Sequence, residues 1–293
     1  MLIFELLDSE GPGFLQVRNQ VYDFLLANEH KCVSLVSHFQ KKDTKILYIL
    51  DERNVLWGVI SISPGGQILH CLESDVVLPV IEQYFSLAKP QKLFSIIGEQ
   101  KYTEALGKIF LKLMGVVSKS SVDYMLMEYN QSVAEEAVLK AKNTPQKKAF
   151  LADCEIFDCK DSDFDALFPL QKAYEIEEVI TSPNTFNEKN SRILLRRSLQ
   201  NNEVFAARYN GRIIAKASIN AAGKNCIQLG GIFTDANFRN RGLATYLVKT
   251  LTQRFIKNQK TIVLFVKKVN ATAINVYKNC GFATFSDYKI IYF

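Results

Sequence analysis

The sequence predicts an α/β protein of two successive units, each a mixed, mostly antiparallel sheet flanked by helices. Three observations carry that expectation. Short runs of strand character alternate with runs of helical spacing along almost the whole chain. The same order of hairpin, strand, helix, strand, helix and strand occurs in both halves. Between the halves, residues 131–148 turn polar and contain a helix stop, as a linker does. Residues 1–131 are therefore read as one unit, 132–150 as the linker and 151–293 as the second unit.

In the first unit, residues 2–7 (Leu-Ile-Phe-Glu-Leu-Leu) suit an opening strand. Apolar residues at 14, 17, 21, 24 and 25 have helical spacing. Residues 45–50 and 55–62, joined by Asp-Glu-Arg-Asn, form a hairpin candidate. Residues 67–72 read as the next strand, 75–88 as a helix ending before Pro90, and 93–97 as a short buried strand. An amphipathic helix over 101–114 and a strand over 122–129 complete the unit.

The second unit opens with a strand at 155–159 and a helix at 163–179, broken by Ser182-Pro183. A helix over 187–199 has Asn187 as a favourable cap, followed by Glu188. Residues 204–209 and 212–219 flank Asn210-Gly211, a pair suited to a type I′ hairpin turn. Then come a strand over 228–234, a helix over 241–257 with one apolar stripe, and an apolar central strand over 261–266. A short helix at 271–279, Gly281-Phe282 and a closing strand over 287–293 end the chain.

The most informative stretch is Arg239-Asn240-Arg241-Gly242-Leu243-Ala244, between a strand and a helix. The first-turn N–H groups of a helix lack internal acceptors, and its dipole favours negative charge at that end. Gly242 admits close approach of an anion, and two arginines can add charge-assisted hydrogen bonds. On physics alone this is a phosphate cradle. It is neither a nucleotide P-loop nor a dinucleotide GxGxxG turn.

Charge and composition narrow the partner. Hydrophobic residues are 48% and charged residues 23% of 293, an ordinary globular balance. From residue 191 to the end, 17 basic residues face three acids, a balance of +14; the whole-chain +6 leaves −8 for residues 1–190. Such a basic block favours an anionic partner. The phosphate-type turn inside it points to a polyphosphate-bearing cofactor rather than nucleic acid, for which aromatic-interleaved basic repeats are lacking. The six cysteines show no CxxC pair and read as buried thiols. His30, His38 and His70 have no acidic or Cys partner at ligand spacing, so no metal is expected. No run approaches the roughly 20 apolar residues of a membrane span. The start lacks a basic region, which makes a cytoplasmic location the expectation.

A second element, Asn270-Ala-Thr-Ala273-Ile-Asn-Val-Tyr277-Lys-Asn-Cys-Gly281-Phe282, follows the turn about 30 residues on. With Arg239 to Ala244, it resembles the GNAT superfamily of acyl-CoA-dependent N-acyltransferases. That family pairs a Gln/Arg-x-x-Gly-x-Gly/Ala loop with Asn-x-x-Ala-x-x-x-Tyr-x-x-x-Gly-Phe, and every one of these positions matches here. The resemblance covers about residues 151–293 and implies acetyl-CoA as cosubstrate and an amine as acceptor. By the same resemblance, the strand segment holding Ile232, Phe233 and Thr234 would meet pantetheine. Arg239, Asn240 and the amides of Arg241, Gly242, Leu243, Ala244 and Thr245 would hold the pyrophosphate. Asn270 and Ala273 would line the pantetheine arm, and Tyr277 would sit near the sulfur, where a phenol of ordinary pKa, about 10, can protonate a departing thiolate.

The general base is less clearly marked. Glu175, Glu177 and Glu178 cluster on the first helix of the second unit, in a region that walls the acceptor site in this superfamily. Adjacent helical residues point about 100° apart, so at most one of Glu177 and Glu178 should face the cleft. Glu178 is the candidate. Gln228 could orient water but has no basic function. Cys280 adjoins the motif without a histidine partner, so no covalent intermediate is implied.

In the first unit, the place corresponding to the cradle reads Leu-His-Cys-Leu-Glu-Ser-Asp-Val over 69–76, with two acids that would repel phosphate. It looks like a degenerate GNAT-like unit beside a catalytic one. The leading expectation is direct attack of an amine on the acetyl-CoA thioester. The alternative is a non-catalytic acyl-CoA-binding or sensing protein. The hydrophobic closing strand, if an exposed edge, would invite pairing, so an oligomer is compatible with the sequence.

Overall fold

A computed structural model describes residues 2–7, 14–39, 41, 44–140, 145–180 and 185–293. The first half runs β1 (Leu2–Leu6), α1 (Phe14–Ala27), α2 (Glu29–Phe39), β2 (Lys45–Asp51), β3 (Leu56–Ile62), β4 (Gln67–Leu72), α3 (Leu78–Leu87), β5 (Ser95–Glu99), α4 (Gln100–Met114) and β6 (Ser120–Tyr129). Helices α5 (Gln131–Lys140) and α6 (Pro145–Ala152) follow. The second half comprises β7 (Glu155–Asp158), α7 (Phe164–Tyr174), α8 (Glu188–Gln200), β8 (Val204–Tyr209), β9 (Arg212–Ala222), β10 (Cys226–Thr234), α9 (Leu243–Lys257), β11 (Thr261–Lys267), α10 (Ala271–Asn279) and β12 (Phe282–Tyr292). The helix break expected at Ser182-Pro183 and part of the polar stretch, residues 141–144, lie outside the described residues.

The strands of both halves join in one twelve-stranded sheet, in the order β1-β2-β3-β4-β5-β12-β6-β11-β10-β9-β8-β7. Among the described residues, only β4 with β5 and β10 with β11 pair in parallel. At the centre the halves exchange their last strands. β12 lies against β5, with Ile290 opposite Ile97, and β6 lies against β11, with Leu126 opposite Phe265. The closing strand is therefore not an edge, as its hydrophobic sequence had suggested. Both its neighbours, β5 and β6, are strands of the first half, and the outer edges are β1 and β7.

Local chemistry accounts for most elements. Asn210 and Gly211 take φ of 47° and 77°, the left-handed values a type I′ turn needs. The Asn187 side chain accepts from the Asn190 N–H and starts α8. Helix α9 buries Leu247, Val248, Leu251 and Phe255 against the sheet. Helix α2, which the residue pattern did not predict, ties the halves together. The buried Glu29 carboxylate accepts from the Asn225 N–H (2.9 Å) and the Cys226 N–H (3.1 Å) at the β9–β10 turn. Ser34 donates to Gln228 at 3.3 Å.

The polar stretch between the halves forms α5 and α6, which pack on the second half. Phe150 of α6 meets Tyr209 at 5.0 Å and Phe238 at 6.3 Å between ring centres. All six cysteines are buried and free. Among the described residues, no helix is long and apolar enough to cross a membrane, and no group of His, Cys, Asp and Glu is arranged to hold a metal.

Candidate active site

The site begins with a break in β10. Its parallel pairing with β11 ends at Leu229 opposite Leu264, although β10 continues to Thr234 and β11 to Lys267. On the other side, Gly230 faces Ser218 and Phe233 faces Lys216, so Gly231 and Ile232 together oppose Ala217 alone. That is a β-bulge, with Gly231 at φ +57° supplying the left-handed residue such a bulge uses. The bulge bends β10 away from β11 and opens the centre of the sheet.

Beyond β10 the chain enters the turn before α9. Asn240 at φ 64° and Gly242 at φ 81° are both left-handed, with Gly242 as the N-cap of α9. Asn tolerates that conformation better than most residues and glycine tolerates it freely. A cavity of about 330 Å³ opens over this turn and the diverging end of β10. Ile232, Phe233 and Thr234 form its strand wall, while Arg239, Asn240, Gly242, Leu243, Ala244 and Thr245 form its turn wall. The Leu243 side chain points into the core, so its contribution here is its backbone. Asn270, Ala273 and Tyr277 of the α10 region complete it. Arg241 alone of the predicted residues stands outside. Its guanidinium lies over Phe150 and Phe238, 5.2 and 5.3 Å from the ring centres, and donates to the Asn237 carbonyl.

A second cavity of about 470 Å³ lies on the other side of the bulge, and Ile232, Glu178, Asn270, Ala273 and Tyr277 line both. It is walled by both halves: Ser34 and His38 come from α2, Tyr124 from β6 and Tyr288 from β12. The exchanged strands thus build part of the cleft. Burial holds the His38 imidazole down to about 4, so it is neutral at physiological pH.

The two adjacent glutamates both reach the first cavity, contrary to the helical expectation that at most one would. The reason is local. Residues Glu175–Val179 form a π-turn, closed by the Ile180 N–H on the Glu175 carbonyl at 2.9 Å, which widens the helix. Glu177 accepts from Arg239 at 2.8 Å, and Arg239 also donates to the Thr234 carbonyl at 3.1 Å. Glu178 accepts from the Asn270 side-chain amide at 3.1 Å and lies 3.8 Å from the Lys267 ammonium. Asn270 uses its other end to cap α10, accepting from the Ala273 N–H at 2.9 Å.

Tyr277 is buried where both cavities meet, and its phenol is not at its ordinary pKa. Burial, with smaller contributions from Tyr174, Cys280 and Glu178, raises it well above 10. It is therefore a neutral hydrogen-bond donor throughout the physiological range rather than a ready proton source. The Cys280 thiol is pushed up to about 12 by burial, which removes it as a nucleophile.

The sequence reading missed Lys216 and Tyr174. Lys216 is 1% exposed, and its ammonium donates to the Gly231 carbonyl at 2.8 Å and lies 4.7 Å from the Tyr174 ring centre. A lysine inside the otherwise apolar run Ile213-Ile-Ala-Lys-Ala-Ser was the available signal.

In the first half, the crossover from β4 to α3 occupies the place of the β10–α9 turn. Asp75 stands in its first turn, and Pro79 near the start of α3 removes one backbone N–H. That end offers a phosphate less hydrogen bonding and adverse charge.

The sheet is thus mixed and split at a parallel pair, with the N-terminus of α9 at the split. Comparisons with known proteins give a family likeness over part of the chain. Residues 167–282 match the family model described as "Acetyltransferase (GNAT) family". No curated protein matches the sequence significantly. Solved structures share its fold over nearly the whole chain. A GNAT-family acetyltransferase from Colwellia psychrerythraea is 12% identical, with 99% of each chain covered and a TM-score of 0.56. A Drosophila protein is 14% identical over 95% of this chain and 89% of its own, with a TM-score of 0.60. A tandem GNAT protein from the clavulanic acid biosynthesis pathway is 11% identical over 99% and 98%, with a TM-score of 0.59. At these identities the likeness is one of fold.

Proposed function

We propose that the protein is an N-acyltransferase that moves an acetyl group from acetyl-CoA to an amine by direct attack on the thioester. The observation that carries this reading is the meeting of two cavities at Ile232, Glu178 and Tyr277. One cavity has the phosphate cradle and suits the CoA donor. The other, across the bulge, suits the acceptor. A pure sensor of acyl-CoA needs only the first.

In this reading the first-turn amides of α9 hold the pyrophosphate and the Ile232 backbone faces the acyl carbonyl. The amine nitrogen attacks that carbon, the C–S bond breaks, and the pair of electrons leaves on sulfur. Glu178 takes the proton lost by the amine. The neutral Tyr277 phenol donates a hydrogen bond to the departing thiolate, and its raised pKa makes this role fit better than full proton transfer. Most of the rate comes from positioning.

The domain reading that goes with it takes residues 1–131 as a GNAT-like unit without a cradle, 132–150 as the connection and 151–293 as the unit with the site. One chain then has one CoA site. The test follows free CoA thiol released from acetyl-CoA with a broad panel of amines. Acceptor-dependent release supports the enzyme; binding of acetyl-CoA with background release for every amine supports the sensor.

A further inference from the structure

Lys216 is the most unusual buried group in the molecule. Taking an ammonium out of water is costly unless it is fully paired, and a purely structural position in β9 would be filled as well by an apolar residue. Here Nζ has one strong hydrogen bond, to the Gly231 carbonyl at 2.8 Å, and one ring beside it, Tyr174. The Gly231 N–H faces the Tyr174 phenol oxygen. Lys216 thus holds the carbonyl of the glycine that forms the bulge, with the Tyr174 ring against its ammonium. The space is full: a Cβ on Gly231 would sit 3.0 Å from both Lys216 Nζ and Ser218 Oγ.

The geometry of a trans peptide gives this grip a consequence. The Gly231 carbonyl and the Ile232 N–H belong to one plane and point in opposite directions. With the carbonyl fixed on Lys216, the Ile232 N–H is turned the other way. Neither Gly231 nor Ile232 is paired in the ladder with β9 or β11, and Ile232 lines both cavities.

We propose that Lys216 is a positioning residue for acyl transfer: its buried ammonium fixes the Gly231–Ile232 peptide and polarises the Ile232 N–H toward the acyl carbonyl of the donor. This rests on the acyltransferase reading above. A cation on the carbonyl draws electron density through the amide and makes the N–H a stronger donor where negative charge develops. Burial lowers the Lys216 pKa to about 8, partly offset by Glu175, so the ammonium dominates at neutral pH and discharges on moderate alkalinisation. The titratable groups facing it are Glu175, Tyr174 and Cys159. The Tyr174 phenol and Cys159 thiol are held up at about 12, so neither changes charge between about pH 7 and 9.5, where Lys216 does.

The test needs no acceptor. Acetyl-CoA labelled with 13C at the carbonyl is bound to wild type and to Lys216→Met, and the thioester C=O stretch is read by isotope-edited infrared spectroscopy. The wild-type band should fall below its value in solution, and Lys216→Met should lose at least about half of that fall. Affinity for CoA without the acetyl group should stay within about 3-fold, because the cradle amides are untouched. With a working acceptor, kcat should drop about 100-fold, the size of losing one oxyanion donor. An identical band in both proteins overturns the role. If Lys216→Met does not fold, the wild type decides: its band should relax toward the solution value with a midpoint near pH 8, and a band unmoved through that range overturns the role. Failure of the wild type to bind acetyl-CoA at all overturns the acyltransferase reading itself.

Discussion

Glu178 accepts a 3.1 Å hydrogen bond from Asn270, and the same Asn270 caps the helix that carries Tyr277. The carboxylate at the cleft and the phenol at its floor are thus held by one amide side chain. Glu178→Gln keeps the shape and removes the base. We expect kcat to fall by about 10²–10⁴-fold, with acetyl-CoA affinity unchanged by calorimetry. Asn270→Ala should lower stability by about 1 kcal/mol through the lost cap and also lower kcat. Normal kcat in Glu178→Gln excludes Glu178 as the base.

Arg239 presents a different balance. Its guanidinium is spent on Glu177 at 2.8 Å and on the Thr234 carbonyl. The Glu177 pair is at least a third exposed on both sides, so it adds little to stability. A pyrophosphate entering the cradle would compete with Glu177 for the cation. Arg239→Ala should weaken CoA binding about 10-fold or more, with steeper loss at low salt. Glu177→Gln should leave binding equal or tighter. Weaker binding in Glu177→Gln would show that the pair builds the cradle instead of competing with it.

His70 predicts a pH dependence of stability. The ring is buried, bonded to Thr103 at 2.8 Å, and stacked so closely on Gly98 that a Cβ there would lie 2.2 Å away. Burial lowers its pKa to about 3, while in the unfolded chain it is near 6.5. Below pH 6.5 the unfolded state binds a proton that the folded state refuses. Stability is therefore full above about 6.5 and falls by up to about 1.4 kcal/mol per pH unit toward 3. Urea midpoints at pH 7 and pH 5 should differ in wild type and differ by less in His70→Asn, which keeps the part of the acid slope that the buried His38 carries. An unchanged acid slope in the variant would assign it to other groups.

Glu29 makes the joint between the halves testable. Glu29→Ala would leave the Asn225 and Cys226 N–H groups without their acceptor, at about 1–3 kcal/mol for the buried Cys226 donor and less for Asn225, which water can reach. A single cooperative thermal transition should shift down by several degrees. Two separate transitions in the wild type would mean that the halves melt independently in spite of the shared sheet.

How much of this was legible in the sequence follows from how local each signal is. Asn210-Gly211 fixed its hairpin because the turn conformation depends on those two residues. Gly242 announced a tight turn before a helix for the same reason, whereas the left-handed conformation of Asn240 was not expected. The exchange of β6 and β12 was not legible, since strand partners far apart in the chain leave no mark on local periodicity. The π-turn that brings Glu177 and Glu178 together depends on one shifted hydrogen bond, Ile180 to Glu175, which the residue pattern does not encode. Lys216 read as an ordinary strand lysine because its partner is a backbone carbonyl, invisible in side-chain composition.

The most direct test of the central claim, one CoA site per chain at the β10–α9 turn, is titration of acetyl-CoA by calorimetry with wild type and Gly242→Val. A β-branched residue at φ 81° costs at least about 1–2 kcal/mol, so the turn that aims the first amides of α9 has to shift, and its Cβ would meet the Leu151 side chain at 3.7 Å. The account predicts one acetyl-CoA per wild-type chain and a loss of affinity of about 100-fold or more in a variant that still folds. Two sites per chain, or undiminished binding by Gly242→Val, would contradict it.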